Sequence, residues 1–356
     1  MAELKVTNVT KEFGTYKAVD DVTFQVEDGE FVVLLGPSGS GKTTILRMVA
    51  GLDQPTSGSI YIDDRLVNAE SPRDRDIAMV FQNYALYPHM KIYDNIALPL
   101  RARGIPESEI DMRVRETAEL LQITKILEKK PGKVSGGEQQ RVAVARAVVR
   151  NPKVFLFDEP LSNLDAKLRV LARGFLKRLQ KELKVTTLYV THDQAEGMTM
   201  ADRIAVLNKG QIVQMDTPER VYEAPSDQFV AGFVGSPPMN FIEGKLAPEG
   251  QRLYFTAGRL IVPIDGIKAD SKQVVLGVRP EDVGVSDTST TGAVQARIYI
   301  AEPLGSVQYV TLDLEGLRLL AQVDPHYDAR LNKEVFCTIN KKSAYLFEKE
   351  TGKRIF

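Results

Sequence analysis

The pattern of a phosphate-binding loop, Gly-x-x-x-x-Gly-Lys-Ser/Thr, occurs in this chain as Gly36-Pro37-Ser38-Gly39-Ser40-Gly41-Lys42-Thr43. The apolar run Phe31–Leu35 before it predicts a buried parallel strand, and Thr44–Ala50 after it predicts a helix. In a strand–loop–helix unit, backbone N–H groups and the helix N-terminus bind phosphate. Lys42 then reaches the β- and γ-phosphates, and the Thr43 hydroxyl can ligate Mg²⁺. The segment therefore predicts a nucleotide phosphate site.

Length and composition agree with such a site without identifying it. The 356 residues predict two domains, and 46 basic against 47 acidic residues give no charge signal for nucleic-acid binding. The single cysteine, Cys337, excludes an intramolecular disulfide, and the N-terminal residues lack an apolar signal core, so we expect a cytoplasmic location. No apolar run reaches the about 18 residues of a membrane-spanning helix, so membrane association would depend on a partner.

The order of predicted elements indicates an α/β domain followed by a β-rich domain. Strand-like and helical stretches alternate through residues 1–220, which is typical of a largely parallel sheet. A charged, helix-forming stretch at 106–130 predicts an inserted helical subdomain. We expect this subdomain to span about residues 84–150. After Gly235-Ser236-Pro237-Pro238 the segments become short and alternating. We therefore predict an α/β domain over 1–235 and a small β-rich domain over 236–356.

Two acids end a second apolar strand, Val154–Phe157. Asp158 at the carboxyl end of that strand can hold Mg²⁺ through water, because α/β sheets bind ligands at this edge. Glu159, the next residue, can deprotonate an attacking water. In isolation the pair also fits a solvated acidic turn.

A second phosphate site is predicted where Ser135-Gly136-Gly137 opens the helix that continues to Arg150. A helix start with a side-chain hydroxyl and bare N–H groups binds anions. The chain already has one phosphate site at Gly36–Thr43. If both serve a single nucleotide, the second comes from another subunit.

Together these motifs resemble those of the ATP-binding cassette family, and the resemblance covers the whole chain. The resemblance identifies Gly36–Thr43 as Walker A, Gln82 as the Q-loop, Ser135–Gln139 as the signature, Asp158-Glu159 as Walker B, Ser162–Asp165 as the D-loop and His192 as the switch histidine. Six elements in this order are far more specific than any one of them.

The resemblance implies ATP and Mg²⁺ as cofactors and a defined set of site residues. The implied catalytic residues are Lys42, Gln82, Glu159 and His192. The implied nucleotide contacts are Phe13, Gly36, Pro37, Ser38, Gly39, Ser40, Gly41, Lys42, Thr43, Thr44, Gln82, Ser135, Gly136, Gly137, Asp158, Asp165 and His192. The implied metal ligands are Thr43, Gln82 and Asp158.

Four further segments are similar to the ATPase subunits of maltose-type sugar importers: Tyr84–His89, Leu161–Leu168, Gly235–Phe241 and Gly277–Asp282. The similarity implies a head-to-tail homodimer, and a heterodimer with a paralogue stays open. It also implies a membrane permease that contacts Gln82–His89, an extracytoplasmic solute-binding protein that acts indirectly, and a place at the cytoplasmic face of the membrane. The C-terminal domain would resemble an oligonucleotide-binding-type barrel that pairs across the dimer and carries regulation.

The transported solute implied is a sugar, polyol or glycerol phosphate. The alternatives are an importer of polyamine, ferric ion or oxyanion, and a soluble cassette ATPase that acts on DNA or ribosomes. The last class predicts a coiled-coil insertion, a second cassette or a basic face, and the sequence has none of them.

Some positions depart from the family pattern or leave a choice. Val134 replaces leucine and Glu138 replaces glutamine in the signature, and we expect Glu138 to lie beyond the phosphate-facing residues. Ala172–Phe175 replaces a Met-Arg-x-Glu pattern, and nothing in the sequence explains Gly174 and Phe175. The resemblance also implies an aromatic ring that stacks on the adenine of ATP. Phe13 is the first choice for this ring, and Tyr16 is the alternative. His89 and His326 are expected at the surface, since neither has metal-site spacing.

Overall fold

The computed structural model describes residues 2–249, 252–264 and 273–355. The chain divides into two compact units, Met1–Glu219 and Arg220–Phe356. The predicted boundary near residue 236 differs from this division and stays a prediction.

The first unit holds ten strands and six helices, and a seventh helix runs across the division. The strands are β1 (Leu4–Phe13), β2 (Tyr16–Val26), β3 (Phe31–Leu35), β4 (Ser57–Ile62), β5 (Arg65–Leu66), β6 (Ile77–Val80), β7 (Val154–Asp158), β8 (Thr186–Thr191), β9 (Arg203–Asn208) and β10 (Gln211–Asp216). The helices are α1 (Lys42–Ala50), α2 (Ile92–Arg101), α3 (Glu107–Leu120), α4 (Gly136–Val148), α5 (Ala166–Leu183), α6 (Gln194–Met200) and α7 (Pro218–Glu223).

A six-stranded sheet of order β10-β9-β3-β8-β7-β6 forms the centre of the first unit. All neighbours pair in parallel except β10, which is antiparallel to β9. The predicted α/β fold with a largely parallel sheet is confirmed. Leu35 at the end of β3 lies opposite Thr191 of β8, and Asp158 at the end of β7 lies opposite Val190. The carboxyl ends of β3, β8 and β7 therefore meet at one edge.

An antiparallel sheet of order β2-β1-β4-β5 packs on the same core. Buried residues of this sheet, such as Val6 and Ile60, belong to one cluster with Leu34 of β3 and Leu46 of α1. Burial of β3 and of the apolar face of α1 fixes both ends of the loop between them, because each buried aliphatic side chain contributes roughly 1.5–3 kcal/mol.

The helical subdomain contains α2, α3 and α4, and its second helix is shorter than predicted. Helix α3 ends at Leu120, whereas the helix-forming stretch was predicted to reach residue 130. Gln122 adopts a positive φ of 57°, and Ile123 N–H returns to the carbonyl of Ala118, so the chain leaves the helix there. Short 3₁₀ turns at Thr124–Ile126 and Pro131–Lys133 lead to α4.

The second unit is β-rich, as predicted. Its elements are helix α8 (Gln228–Phe233) and strands β11 (Asn240–Glu249), β12 (Arg252–Ala257), β13 (Leu260–Ile264), β14 (Gln273–Val278), β15 (Val283–Ser286), β16 (Val294–Pro303), β17 (Gln308–Leu314), β18 (Leu317–Val323), β19 (Glu334–Ile339) and β20 (Ala344–Glu348). They form two five-stranded antiparallel sheets, of order β13-β12-β11-β14-β20 and β15-β19-β16-β17-β18. Both sheets contribute to one core that includes Leu276, Ile298 and Cys337.

Across the described ranges, no helix has the length and apolar composition to cross a membrane.

Candidate functional site

The loop from Gly36 to Gly41 leads from β3 into α1, as predicted, and Lys42 folds back over it. The Lys42 Nζ donates to the carbonyls of Gly36 and Pro37, each at 2.8 Å. Burial lowers the pKa of Lys42, and the nearby charges of Glu159 and Asp158 oppose that shift. The Ser40 hydroxyl lies 3.5 Å from the same Nζ, so an anion in the loop would meet a buried cation held by neutral oxygens.

Two glycines of the loop are required by contact and by backbone geometry. A Cβ at Gly36 would lie 2.4 Å from the carbonyl oxygen of Leu207, a distance that real Cβ atoms do not show. Gly41 has a φ of +101°, which favours glycine, and a Cβ there would lie 2.6 Å from the carbonyl oxygen of Ala18. The loop thus packs closely against neighbouring backbone.

The Thr43 hydroxyl donates to Oδ1 of Asp158 at 3.0 Å. The contact joins the first turn of α1 to the end of β7, across 115 residues of sequence. Burial is the main cause that raises the pKa of Asp158. A cation beside these oxygens would offset the cost of burying the carboxylate.

Glu159 and His192 form the second pair of the site. Nδ1 of His192 lies 3.0 Å from Oε2 of Glu159, and the histidine side chain is 56% exposed against 19% for the glutamate. Glu159 has a φ of 45°, uncommon for a non-glycine residue, and its N–H donates to the carbonyl of Val190 at 3.0 Å. Strain of this kind concentrates at functional sites.

Gln82 is exposed in the turn after β6, and its backbone carbonyl accepts from Nδ2 of Asn163 at 2.8 Å. The segment Tyr84–His89, part of the permease contact that the resemblance implies, is only partly exposed. Tyr84 is 6% exposed, whereas Tyr87 is 43% exposed and His89 is also at the surface. The backbone of Tyr84 takes a positive φ of 60°.

Arg146 of α4 holds this segment, and the sequence analysis missed it. Its Nη2 and Nη1 atoms donate to the carbonyls of Tyr84 and Ala85 at 2.8 and 2.6 Å. Burial lowers the pKa of Arg146. An arginine inside the apolar run Val142–Val149 was the available signal, because a buried cation needs acceptors nearby.

Ser135 caps the N-terminus of α4, as predicted, but the expected position of Glu138 is wrong. The Glu138 carboxylate accepts from the Ser135 N–H at 2.7 Å and from its hydroxyl at 2.9 Å, which completes a capping box. These hydrogen bonds lower the pKa of Glu138. Glu138 therefore places a negative charge on the serine itself, not beyond it.

Asp165 caps α5 by accepting from the Leu168 N–H at 2.9 Å. Within the part of the chain that the structure describes, no hydrogen bond or ion pair joins the segments at Ser135 and Asp165 to the Gly36–Thr43 loop. The structure of one chain thus brings together Lys42, Thr43, Asp158, Glu159 and His192, and leaves Ser135–Gly137 apart.

Both candidates for the adenine contact are exposed, Phe13 at 52% and Tyr16 at 58%. They face each other at the turn of the β1–β2 hairpin. The Tyr16 hydroxyl lies 3.5 Å from the carbonyl of Gly39 in the phosphate loop, whereas the ring of Phe13 lies under Lys11 at 4.9 Å. Neither ring packs in the core.

The unexplained Gly174 lies inside α5, where an added Cβ would meet no atom within 4 Å. It lines a cavity of about 610 Å³ formed with α6. Phe175 packs on the guanidinium of Arg141 at 5.0 Å, which links α5 to α4. Nothing in the structure explains the two substitutions functionally.

Comparison with known proteins assigns the whole chain. The ABC transporter family matches residues 19–162, the MalK OB fold domain matches 235–283, and the TOBE domain matches 276–347. A trehalose/maltose import ATP-binding protein of Thermococcus litoralis is 49% identical, with 100% of both chains covered. An sn-glycerol-3-phosphate import ATP-binding protein of Psychromonas ingrahamii is 46% identical over 100% of this chain and 96% of its own length. An oligosaccharides import ATP-binding protein of Bacillus subtilis is 45% identical over 100% of both.

A solved structure with the same fold is that of the ATP-binding cassette MJ0796, a dimer bound to ADP and Pi in a post-hydrolysis state. It is 34% identical, covers 60% of this chain and 98% of its own, and has a TM-score of 0.54. The predicted fold, the resemblance and the ATPase activity are confirmed by these matches. This chain therefore belongs to the ABC transporter family, as an importer ATPase with MalK-type OB-fold and TOBE domains.

Proposed function

We propose that this chain hydrolyses Mg²⁺–ATP in a head-to-tail homodimer and thereby drives import of a sugar, polyol or glycerol phosphate through a membrane permease. The observation that carries the proposal is the meeting of Lys42, the Thr43–Asp158 pair and the Glu159–His192 pair at one sheet edge. The Ser135 helix start, an anion site of the same chain, is not joined to them. A nucleotide shared between two copies would use both.

The loop binds the phosphates of ATP. Its backbone N–H groups and the N-terminus of α1 donate to the β-phosphate, and Lys42 exchanges its carbonyl acceptors for phosphate oxygens. A stacked adenine needs an exposed ring beside the loop. Phe13 is the proposed ring, and Tyr16, whose hydroxyl lies near Gly39, is the alternative.

The residues around Asp158 fit a magnesium ion. Thr43 and Asp158 present hard oxygen ligands 3.0 Å apart, and Gln82 would add an amide oxygen. Mg²⁺ takes few protein ligands beside phosphates and water, so a small set of side-chain oxygens is enough to hold it. When bound, the ion neutralises charge that develops on the phosphate oxygens.

Hydrolysis needs a base beside the γ-phosphate. Glu159 accepts the proton of the attacking water, and His192 orients the Glu159 carboxylate and hydrogen-bonds the γ-phosphate. The two side chains already contact each other at 3.0 Å, which places the imidazole beside the proposed base.

The second half of each site comes from the partner subunit. The Ser135 hydroxyl and the N–H groups of Gly136 and Gly137 would bind the γ-phosphate held by the other copy, and Asp165 would approach the same interface. A mixture of Lys42→Ala and Ser135→Phe proteins tests this arrangement. One composite site of the mixed dimer then pairs an intact loop with an intact helix start, and we expect ATP occlusion in it. No occlusion in mixtures that form dimers would contradict the trans arrangement.

The permease is proposed to contact the surface near Gln82–His89. Two cavities of about 380 and 350 Å³ lie beside this segment, and both are lined by Met79, Phe81 and Pro99. A mostly apolar groove next to Gln82 would couple a permease segment to the ATP site. This contact would hold the chain at the cytoplasmic face of the membrane, and the solute-binding protein would act through the permease.

The solute class rests on the named relatives, which import trehalose/maltose, oligosaccharides or sn-glycerol-3-phosphate. We propose that residues 236–356 form a separate domain that pairs the subunits and carries regulation. Deletion of the gene in its source organism tests the solute. We expect loss of uptake of one of these carbohydrates; normal uptake of all of them with loss of polyamine or oxyanion uptake would overturn the class.

A further inference from the structure

Arg169 of α5 binds two loops that the proposed mechanism uses separately. Its Nη2 donates to the carbonyls of Ser162 and Leu164 at 3.3 and 3.2 Å. Its Nη1 donates to Oδ2 of Asp193 at 3.3 Å, and both side chains are partly buried. The guanidinium therefore bridges the loop after Glu159 and the loop after β8.

These contacts close a ring, called here the Arg169 ring and defined by Glu159, Ser162, Arg169, Asp193 and His192. The Ser162 hydroxyl donates to the Glu159 carbonyl at 2.9 Å. Asp193 directly follows His192, whose Nδ1 lies 3.0 Å from Oε2 of Glu159. Each member of the ring thus contacts, or is the chain neighbour of, the next.

Asp193 is fixed in the ring by its second oxygen. Oδ1 accepts from the N–H groups of Ala195 and Glu196 at 2.8 and 3.2 Å and so caps α6. The Asp193 N–H in turn donates to the Thr191 hydroxyl at 3.0 Å. A carboxylate held in this way offers Oδ2 to Arg169 in one direction only, so the arginine sets the spacing between the two loops.

We infer that Arg169 is a positioning residue for ATP hydrolysis, which sets the relative placement of Glu159 and His192. The inference rests on the proposed roles of those two side chains. Among the described residues, no hydrogen bond or ion pair joins Arg169 to either of these side chains or to the phosphate loop. Its loss should leave ATP binding intact and lower the rate of the chemical step. Because its side chain donates to the carbonyls of Ser162 and Leu164, Arg169 also ties this pair to the loop that ends at the α5 cap Asp165 and is proposed to face the partner subunit.

The test compares steady-state ATP hydrolysis by full-length wild type, Arg169→Gln, Asp193→Asn, the double variant, Arg169→Lys and Arg178→Gln. Arg178 is the matched control, an exposed arginine on α5 that pairs with Glu182 at 2.7 Å. We expect Arg169→Gln and Asp193→Asn each to lower kcat by about ten-fold or more with KM within about two-fold, the pattern of a lost transition-state interaction. The double variant should be no slower than the slower single variant, because both changes break one contact. Arg169→Lys should restore part of kcat, and Arg178→Gln should match wild type.

The inference is overturned if Arg169→Gln has the kcat of Arg178→Gln, if its effect falls on KM, or if the two single effects multiply in the double variant. Thermal unfolding checks each protein. If Arg169→Gln does not fold, Asp193→Asn decides alone, since asparagine caps helices as well as aspartate does, and a wild-type kcat there overturns the inference. Glu159→Gln is measured in parallel. Full activity of Glu159→Gln would refute the proposal that Glu159 is the base. If Glu159→Gln is inactive while Arg169→Gln has normal activity, only the positioning role of Arg169 is refuted.

Discussion

Nδ1 of His192 lies 3.0 Å from Oε2 of Glu159, although 33 residues separate them in the sequence. Glu159 follows β7 and His192 follows β8, and these strands are parallel neighbours. The contact therefore depends on strand order in the sheet. It brings a carboxylate that can accept a proton next to an imidazole that can donate a hydrogen bond. Both lie at the sheet edge where the phosphate loop begins.

Asp158→Asn should raise the stability of the nucleotide-free protein while it abolishes Mg²⁺-dependent hydrolysis. Burial raises the pKa of Asp158, so the folded state disfavours the charged form. The neutral amide avoids that cost and still accepts from Thr43. We expect the Tm at pH 7 to rise by a few degrees in thermal unfolding without nucleotide.

The pH dependence of this difference has a defined sign. The pKa of Asp158 is higher in the folded state than in the unfolded state. The destabilisation that comes from burying the charged carboxylate is therefore fully present above the folded pKa, and it is lost as pH falls toward the unfolded value near 3.8. The gain in Tm should therefore shrink on acidification. A variant less stable than wild type at pH 7, or a gain that grows at low pH, would contradict this account of Asp158.

Glu138→Gln should increase the apparent affinity for ATP in hydrolysis assays. The carboxylate now lies on Ser135, the proposed γ-phosphate ligand, and a second negative charge there repels phosphate. The glutamine keeps the capping box, so α4 should be unaffected. We expect KM for ATP to fall by roughly two- to five-fold at low ionic strength, as for like charges several ångströms apart near a protein surface.

The fall in KM for ATP caused by Glu138→Gln should become smaller in high salt, because salt screens exposed charges. Glu119→Gln, a change at an exposed acid of α3, is the matched control and should leave KM unchanged. An unchanged KM for Glu138→Gln at low salt would mean that Ser135 does not approach phosphate.

Gly36→Ala should disrupt the phosphate loop. The added Cβ would lie 2.4 Å from the Leu207 carbonyl and 2.7 Å from the Ser40 hydroxyl, so backbone has to move. We expect loss of ATP binding and a destabilisation of about 1–3 kcal/mol, the range for overpacking in packed sites. Gly132→Ala, at an open position that also lacks a positive φ, is the matched control and should leave stability and ATP binding nearly unchanged. Denaturant unfolding and nucleotide titration measure both. Equal effects would show that the close approach at Gly36 is unimportant.

Two truncations separate the cassette from the rest of the chain. Residues 1–235 should fold and hydrolyse ATP, because all the proposed catalytic residues lie between Phe13 and His192. In the second unit, Arg279 donates to the Val234 carbonyl at 2.8 Å and stacks on Tyr222 at 3.6 Å, so residues 1–219 should be active and more soluble. Because both truncated proteins lack the domain proposed to pair the subunits, both should need a higher protein concentration than the full chain to reach the same specific activity.

Activity measured against protein concentration decides between these expectations. An active 1–235 with an inactive 1–219 would place residues 220–235 in the cassette. Inactivity of both would make the second unit part of the catalytic fold, and an unchanged concentration dependence would deny it a role in pairing the subunits.

The strand-end positions of the site were predictable from sequence because parallel strands meet at one edge. Buried runs before Gly36, Asp158 and His192 place these residues together whatever the details of packing. The sequence does not decide whether Phe13 or Tyr16 stacks on adenine. Both aromatic residues lie at the turn of the same hairpin, and the direction of their side chains depends on the folded structure.

Side-chain networks were not predictable. Arg169 and Arg146 act through carbonyls of loops whose backbone conformation depends on tertiary packing, and a sequence pattern carries no signal for that. The wrong position expected for Glu138 has a local cause, because a serine followed three residues later by an acid is itself the capping-box pattern. The early end of α3 depends on one left-handed residue, Gln122, which helix propensity does not indicate.

The central claim is that Glu159 is the base for ATP hydrolysis in a dimer that closes on nucleotide, and Glu159→Gln tests it most directly. The amide cannot accept the proton of water, while Lys42 and Thr43 still hold the phosphates. Single-turnover and steady-state assays with size-exclusion chromatography in Mg²⁺–ATP measure the outcome. The account predicts near-normal ATP affinity, turnover lowered by about a hundred-fold or more, and accumulation of an ATP-bound dimer. Near wild-type steady-state hydrolysis by Glu159→Gln would contradict it.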